Sequence, residues 1–260
     1  MKTSTILTTL LATTALAAPF TSHRRARRDA QRTRRSLPRQ NATMIQSTDG
    51  SNIDYDSNWA GAVLIGSGYT SVTGTITVPV PSAPSGGSRN TEYSASAWVG
   101  IDGDTCQSAI LQTGVDFYVQ NGKTSYDAWY EWYPDYSYTF DGFAVNAGDS
   151  ISMTVTSAGT SGGSAVITNH GTGKTVTHTF TGQQGALCNT NAEWIVEDFS
   201  SGDSLVPFAD FDAVTFTGAS AVSNGQTVDV DGSTIVDIRQ NNQVLTDCSA
   251  GGSSVTCSYT

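Results

Sequence analysis

The chain has 260 residues and a formal net charge of −10; beyond its N-terminal region it is long enough for one domain with a sizeable core, and its length does not force two. The charge is unevenly spread: Lys2 and eight arginines from Arg24 to Arg39 supply 9 of the 13 basic residues, so residues 40–260 carry 22 acids against 4 bases, a formal charge of −18. So acidic a body repels nucleic acid and anionic membranes, and no later stretch approaches the roughly 20 apolar residues of a transmembrane helix.

Met1 to Ala18 has one lysine, a short apolar and threonine-rich run and small residues before Ala18-Pro19. This is the layout of a secretory signal peptide, so residues 1–18 predict an exported, extracellular protein. Residues 19–54 hold the arginine cluster and almost no apolar content, so they bury too little surface to fold alone. They read as a basic pro-segment that is removed on maturation. The acidic body repels itself less as its carboxylates protonate, which points to a working environment of low pH and to a pro-segment that binds near neutrality and lets go in acid. The sequon Asn41-Ala42-Thr43 lies in the same removable region.

The body, residues 55–260, alternates short Val-, Ile-, Thr- and Tyr-rich runs with Gly, Ser, Asn and Asp clusters. The pattern predicts strands at 59–65, 71–78, 95–101, 109–119, 126–133, 150–156, 165–169, 175–181, 193–199, 213–216, 233–238 and 255–259. Asn121-Gly122, Asn224-Gly225 and Asp231-Gly232 are hairpin turns, and the proline-rich stretch from Pro79 to Ser88 is an exposed loop open to nicking. The fold class is all-β, a sandwich or a barrel. Four cysteines in an exported chain predict two disulfides. Cys248 and Cys257 flank a short loop that closes on itself, which leaves Cys106 to pair with Cys188; no Cys-x-x-Cys pair suggests zinc.

Strand parity sorts the acidic stretches into faces. Ile110, Gln112, Gly114 and Asp116 point one way, and Leu111, Thr113, Val115 and Phe117 the other. Asp127, Trp129, Glu131 and Tyr133 share a face, as do Glu193, Ile195, Glu197 and Phe199. The last set places two glutamates beside apolar residues, a setting that raises a glutamate pKa, and parity does not choose between them. Nucleophilic alternatives fare worse. Gly159-Thr160-Ser161-Gly162-Gly163 matches G-x-S-x-G but lies between two strand-like runs with no helix after it, so it reads as a hairpin loop. His170 and His178 sit in a turn and a half-exposed strand and read as structural.

The runs SNWAGA (57–62), WVGIDGDTCQSAILQTGVDF (98–117), YDAWYEWYPDY (126–136) and NAEWIVEDF (191–199), with the closing residues 241–260, resemble the glutamic peptidases, or eqolisins, over essentially the whole body. The resemblance implies a secreted, pepstatin-insensitive acid endopeptidase. It implies a sandwich of two large antiparallel sheets, lectin-like, with the substrate cleft on the concave sheet. It places a catalytic dyad on Gln112 and Glu197, so choosing Glu197 over Glu193, and cleft or supporting roles on Asp102, Asp116, Trp129, Glu131 and Tyr133.

The chemistry agrees. A glutamate with a reference pKa of about 4.3 suits proton relay in acid better than histidine, and a glutamine amide donates to an oxyanion without titrating. Asp102 and Asp116 are expected to orient the dyad through hydrogen bonds. No metal or cofactor is implied, and no partner beyond protein or peptide substrates and the chain's own pro-segment; the body reads as a monomer. The competing reading is a carbohydrate-binding module or a two-carboxylate glycosidase, which the uncharged Gln112 disfavours.

Overall fold

Alternation of buried and exposed side chains with period two needs a backbone that presents successive residues to opposite faces, and β-strands supply it. The structure, a computed structural model, describes residues 34–40, 43–46 and 52–260, and of 43–46 and 52 the backbone alone. The signal-peptide reading of 1–18 and the Asn41 sequon lie outside the described residues. The strands are β1 (Arg34–Arg35), β2 (Thr43–Gln46), β3 (Asn52–Asp56), β4 (Trp59–Ile65), β5 (Tyr69–Thr77), β6 (Tyr93–Ile101) and β7 (Ile110–Gln120). They continue with β8 (Lys123–Tyr133), β9 (Tyr138–Thr139), β10 (Ser150–Ser157), β11 (Gly163–Asn169), β12 (Lys174–Phe180) and β13 (Asn191–Glu197). The last are β14 (Ser200–Ser201), β15 (Ser204–Leu205), β16 (Ala213–Ser223), β17 (Gln226–Val228), β18 (Thr234–Gln240), β19 (Gln243–Val244), β20 (Thr246–Gly251) and β21 (Ser254–Tyr259). There is no helix among the described residues.

Two large sheets form a sandwich. One runs β12-β11-β10-β5-β16-β21-β20 with β17 on β16, and the other runs β2-β3-β18-β4-β13-β6-β7-β8-β9 with β19 on β18. A third, small sheet joins β1 to β14 and β15. Pairing is antiparallel except between β18 and β3. β5, β10 and β11 lie against β6, β7 and β13. The main core between the sheets takes Leu111, Val115 and Phe117 from β7, Ala128 and Trp132 from β8, and Ala192, Trp194 and Val196 from β13. Full burial of a side chain such as Leu111, Val115 or Phe117 stabilises by about 1.5–3 kcal/mol.

The opposite face of the second sheet has its own apolar cluster: Trp59, Val63, Trp98, Ile110, Trp129, Ile195 and Val236, with Tyr133 packed against it. Trp59 and Trp98 meet edge to face with ring centroids 5.0 Å apart, a favoured aromatic geometry. Two glycines make room for this floor. A Cβ on Gly114 would stand 2.6 Å from the Trp98 Cβ and 2.8 Å from the Trp129 ring, and one on Gly100 would stand 2.7 Å from the Trp98 ring.

Both disulfides pair as expected, Cys106 with Cys188 and Cys248 with Cys257. The 248–257 stretch is a regular hairpin of β20 and β21 in which the two cysteines face each other. The Gly159–Gly163 run makes the turn of the β10–β11 hairpin and enters β11 at Gly163. The boundary drawn at residue 55 falls inside β3, which pairs with β18 and with β2, so the region ahead of the body joins the body's own sheet.

Candidate active site

Register across the second sheet sets the polar side chains out in rows. Glu193 of β13, Gly100 of β6, Gln112 of β7 and Glu131 of β8 stand side by side. Two residues along, the row is Ile195, Trp98, Gly114 and Trp129, and two further on it is Glu197, Ser96, Asp116 and Asp127. Parity alternation puts all three rows on the face away from the inter-sheet core. The middle row is the aromatic floor; the outer rows hold the carboxylates and the amide.

Residues 34–40 cross this face. The Arg34 guanidinium donates to both oxygens of Asp116, Nε to Oδ2 at 2.6 Å and Nη2 to Oδ1 at 2.8 Å, and to Glu131 Oε2 at 3.3 Å and Ser96 Oγ at 3.2 Å. It lies 3.9 Å from the Trp129 ring centroid and 4.6 Å from that of Phe199, so the cation meets aromatic faces as well as acids. Burial alone would lower its pKa, but Asp116, Glu131 and Glu197 together raise it above the ordinary value.

Ser36 comes next. Its N–H donates to Glu131 Oε2 at 3.2 Å and its hydroxyl to Glu197 Oε2 at 2.5 Å. Trp98 Nε1–H also donates to Glu197 Oε2, at 2.8 Å. Burial pushes the Glu197 pKa up to about 7, while Arg34, Ser36 and Trp98 pull the other way. Burial raises Glu131 well above the carboxylate range against the pull of Arg34 and the Ser36 N–H. Gln112 is fully buried and neither its Oε1 nor its Nε2 makes a hydrogen bond. An unsatisfied buried amide costs about 1–3 kcal/mol, a cost that a bound substrate group at the same position would offset.

The residues expected at the site divide into two sets. Gln112, Asp116, Trp129, Glu131 and Glu197 come together on one face, with Tyr133 at its apolar edge. Asp102 does not join them. Its carboxylate accepts from the backbone N–H groups of Cys188 at 2.7 Å, Asn189 at 2.8 Å, Thr190 at 2.8 Å and Asn191 at 3.2 Å. With its backbone in the left-handed region at φ 67°, Asp102 clamps the loop leading into β13. It therefore acts on Glu197 only through the strand that carries it. Asp116 is likewise bonded to Arg34 and to the Tyr118 hydroxyl at 2.9 Å rather than to Gln112 or Glu197, so any orienting of that pair by the two aspartates runs through other groups.

Sequence reasoning left Trp98, Ser96, Arg34 and Ser36 out of the site. Trp98 shares parity with Gly100, whose missing side chain signals a crowded neighbour. Arg34 and Ser36 carry no local signal, because nothing near them in the chain shows where they dock.

Residues 57–259 match the family described as the Peptidase A4 family. The chain belongs to that family. It is 54% identical over 281 aligned residues to aspergillopepsin-2 of Aspergillus niger, covering all of both chains. To scytalidopepsin B of Scytalidium lignicola it is 46% identical, over 90% of this chain and 89% of the relative. The crystal structure of scytalido-glutamic peptidase with a transition state analog inhibitor superposes with a TM-score of 0.73 at 47% identity, covering 78% of this chain and 98% of that one. Aspergilloglutamic peptidase from Aspergillus niger gives a TM-score of 0.64 at 61% identity over 65% and 99%. The A4 chain is thus an acid endopeptidase of the glutamic type, a hydrolase whose substrates are proteins.

Proposed function

We propose that this A4 peptidase is a secreted enzyme in which Gln112 and Glu197 form the catalytic dyad, and that residues 19–54 are a pro-segment whose residues 34–40 occupy the cleft until acid releases them. The observation that carries the reading is the Ser36 hydroxyl, 2.5 Å from Glu197 Oε2: an oxygen-bearing donor already stands where a nucleophilic water would.

In the open cleft a water on Glu197 attacks the peptide carbonyl. Glu197 accepts the proton of that water and delivers it to the leaving nitrogen, so the carboxylate ends as it began. The carbonyl oxygen, now an oxyanion, takes the N–H of Gln112, which has no competing partner; a lost donor of this kind costs about 2.7–4 kcal/mol. Release of residues 34–40 rehydrates Glu197. Burial is the first cause of its raised pKa, and rehydration removes that cause, while the loss of Arg34 and Ser36 removes two groups that lower it. The Trp98 N–H stays and fixes which oxygen faces the water.

Release in acid follows from the ion pairs. Wherever the carboxylate charge facing it is lost, the Arg34 guanidinium is left buried without an ionic partner, a loss of about 3–5 kcal/mol.

The test is digestion of a denatured protein in acid, with and without pepstatin, by the wild type, Glu197→Gln and Gln112→Ala. Digestion by the wild type in the presence of pepstatin, and none by either variant, is expected. Full activity in either variant overturns the dyad.

A further inference from the structure

Beyond Ser36 the cleft holds a second acidic socket. Arg39 fills it, its Nε 3.1 Å from Asp56 Oδ2, its Nη1 3.0 Å from Asp104 Oδ1 and its Nη2 2.9 Å from Asp54 Oδ2. Behind them stands Glu193, fully buried on the cleft face, with neither carboxylate oxygen hydrogen-bonded. Among the charges that act on Glu193, Asp104 raises and Arg39 lowers its pKa, after burial as the main cause.

The socket grips the main chain as well. The Arg39 N–H donates to the Gly103 carbonyl at 3.1 Å, and Gln107 Nε2 donates to the Arg39 carbonyl at 3.1 Å. The Asn58 side chain bridges two neighbours, donating from Nδ2 to the Leu37 carbonyl at 3.2 Å and accepting at Oδ1 from the Gln40 N–H at 3.2 Å. These groups read any extended peptide, whereas the carboxylates read only a cation. Three extended residues, from Ser36 to Arg39, span about 10 Å, so the socket lies a fixed few residues past Glu197.

We propose that Asp56 and Asp104, backed by Glu193, form a substrate subsite for an arginine or lysine on the C-terminal side of the bond that is cut. Asp56 and Asp104 belong to the 55–260 body, so the socket survives loss of the pro-segment; Asp54 is the last residue of the segment that leaves. With Ser36 on Glu197, the scissile bond corresponds to 35–36 or 36–37, which sets the basic side chain at the third or fourth residue after the cut. The geometry is that of charge-assisted, multiply bonded recognition of a guanidinium, and Arg fits it better than Lys. The proposal rests on the peptidase reading above and on substrate following the path and direction of residues 34–40.

The experiment is digestion of a synthetic peptide library by the acid-matured full chain at about pH 5, with cuts located by mass spectrometry. Arg and Lys should be enriched at the third or fourth residue after the cut. Between matched peptides, Arg should exceed Ala there by about 10-fold in kcat/KM, the size expected of a hydrogen-bonded charge. In the Asp56→Asn/Asp104→Asn double variant that ratio should fall toward one; Asp104→Asn alone serves if the double variant does not fold. An absence of enrichment, an enrichment that survives the variant, or one found only on the N-terminal side overturns the subsite. Failure of the dyad reading looks different, since Glu197→Gln would then still cut the library.

Discussion

The two faces of the ten-stranded sheet are equally dry and opposite in kind. Toward the inter-sheet core, Leu111, Val115, Ala192, Trp194 and Val196 are buried by other apolar side chains of the fold. Toward the cleft, Gln112, Asp116, Glu131, Glu193 and Glu197 are as fully buried, and Asp116, Glu131 and Glu197 are covered in part by residues 34–40. One face is dry because the fold makes it so; the other is dry while an inhibitor-like segment lies across it. Carboxylates on the second face therefore have environments that would change if residues 34–40 were removed, as proposed above, and the same change cannot occur on the first.

The largest effect that sharpens this contrast is expected for Arg34→Ala. Its fully buried guanidinium satisfies Asp116 and Glu131 at once, and breaking such a pair costs about 3–5 kcal/mol. Inhibition of the matured enzyme by a peptide spanning residues 31–44 should weaken by a few hundredfold or more. An unchanged inhibition constant would show that the cover is held by something other than this cation.

A smaller effect is expected for Trp98→Phe, which keeps the aromatic floor but removes the N–H on Glu197. A hydrogen bond to a charged group is worth about 1.5–3 kcal/mol, so kcat should drop by about 10- to 100-fold. The acid-side pKa in the kcat profile should move upward, since a donor to the ionised form is lost.

The smallest concerns stability. Burial raises Asp198 to about 8 and Asp237 to about 6, with Gln240 and Thr246 respectively pulling the other way through hydrogen bonds. A carboxylate whose folded-state pKa is raised contributes stability that is fully present below its unfolded value, near 4, and lost as pH rises through the folded value. The melting temperature should therefore decline between about pH 4 and pH 8. In Asp198→Asn, which keeps an acceptor for Gln240 Nε2, the decline should be shallower by a few degrees; a slope equal to that of the wild type would remove Asp198 as its source.

Much of the fold was legible in the sequence because strand formation and facing are local. Alternation along Ile110–Phe117 and Glu193–Phe199 separates core from cleft, and β4 runs from Trp59 to Ile65 as the pattern predicts. The short strands β14, β15, β17 and β19 carry two or three residues each, too few for periodicity to register. β20 escaped because Thr246–Gly251 mixes Cys, Ser, Ala and Gly and pairs only by virtue of its neighbour β21.

By itself the sequence determined the alternating strands, the two disulfides, the acidic body and the stretches that carry the amide and the carboxylates. Each of these rests on composition, spacing or period two, which act within a few residues. Only the tertiary structure decided that Asp102 clamps a loop while Asp116 holds Arg34, and that Ser36 meets Glu197 across 161 residues of chain. Such choices depend on register between strands and on where a distant segment docks. Both are fixed by burial and charge satisfaction summed over the whole molecule, and no local pattern encodes them.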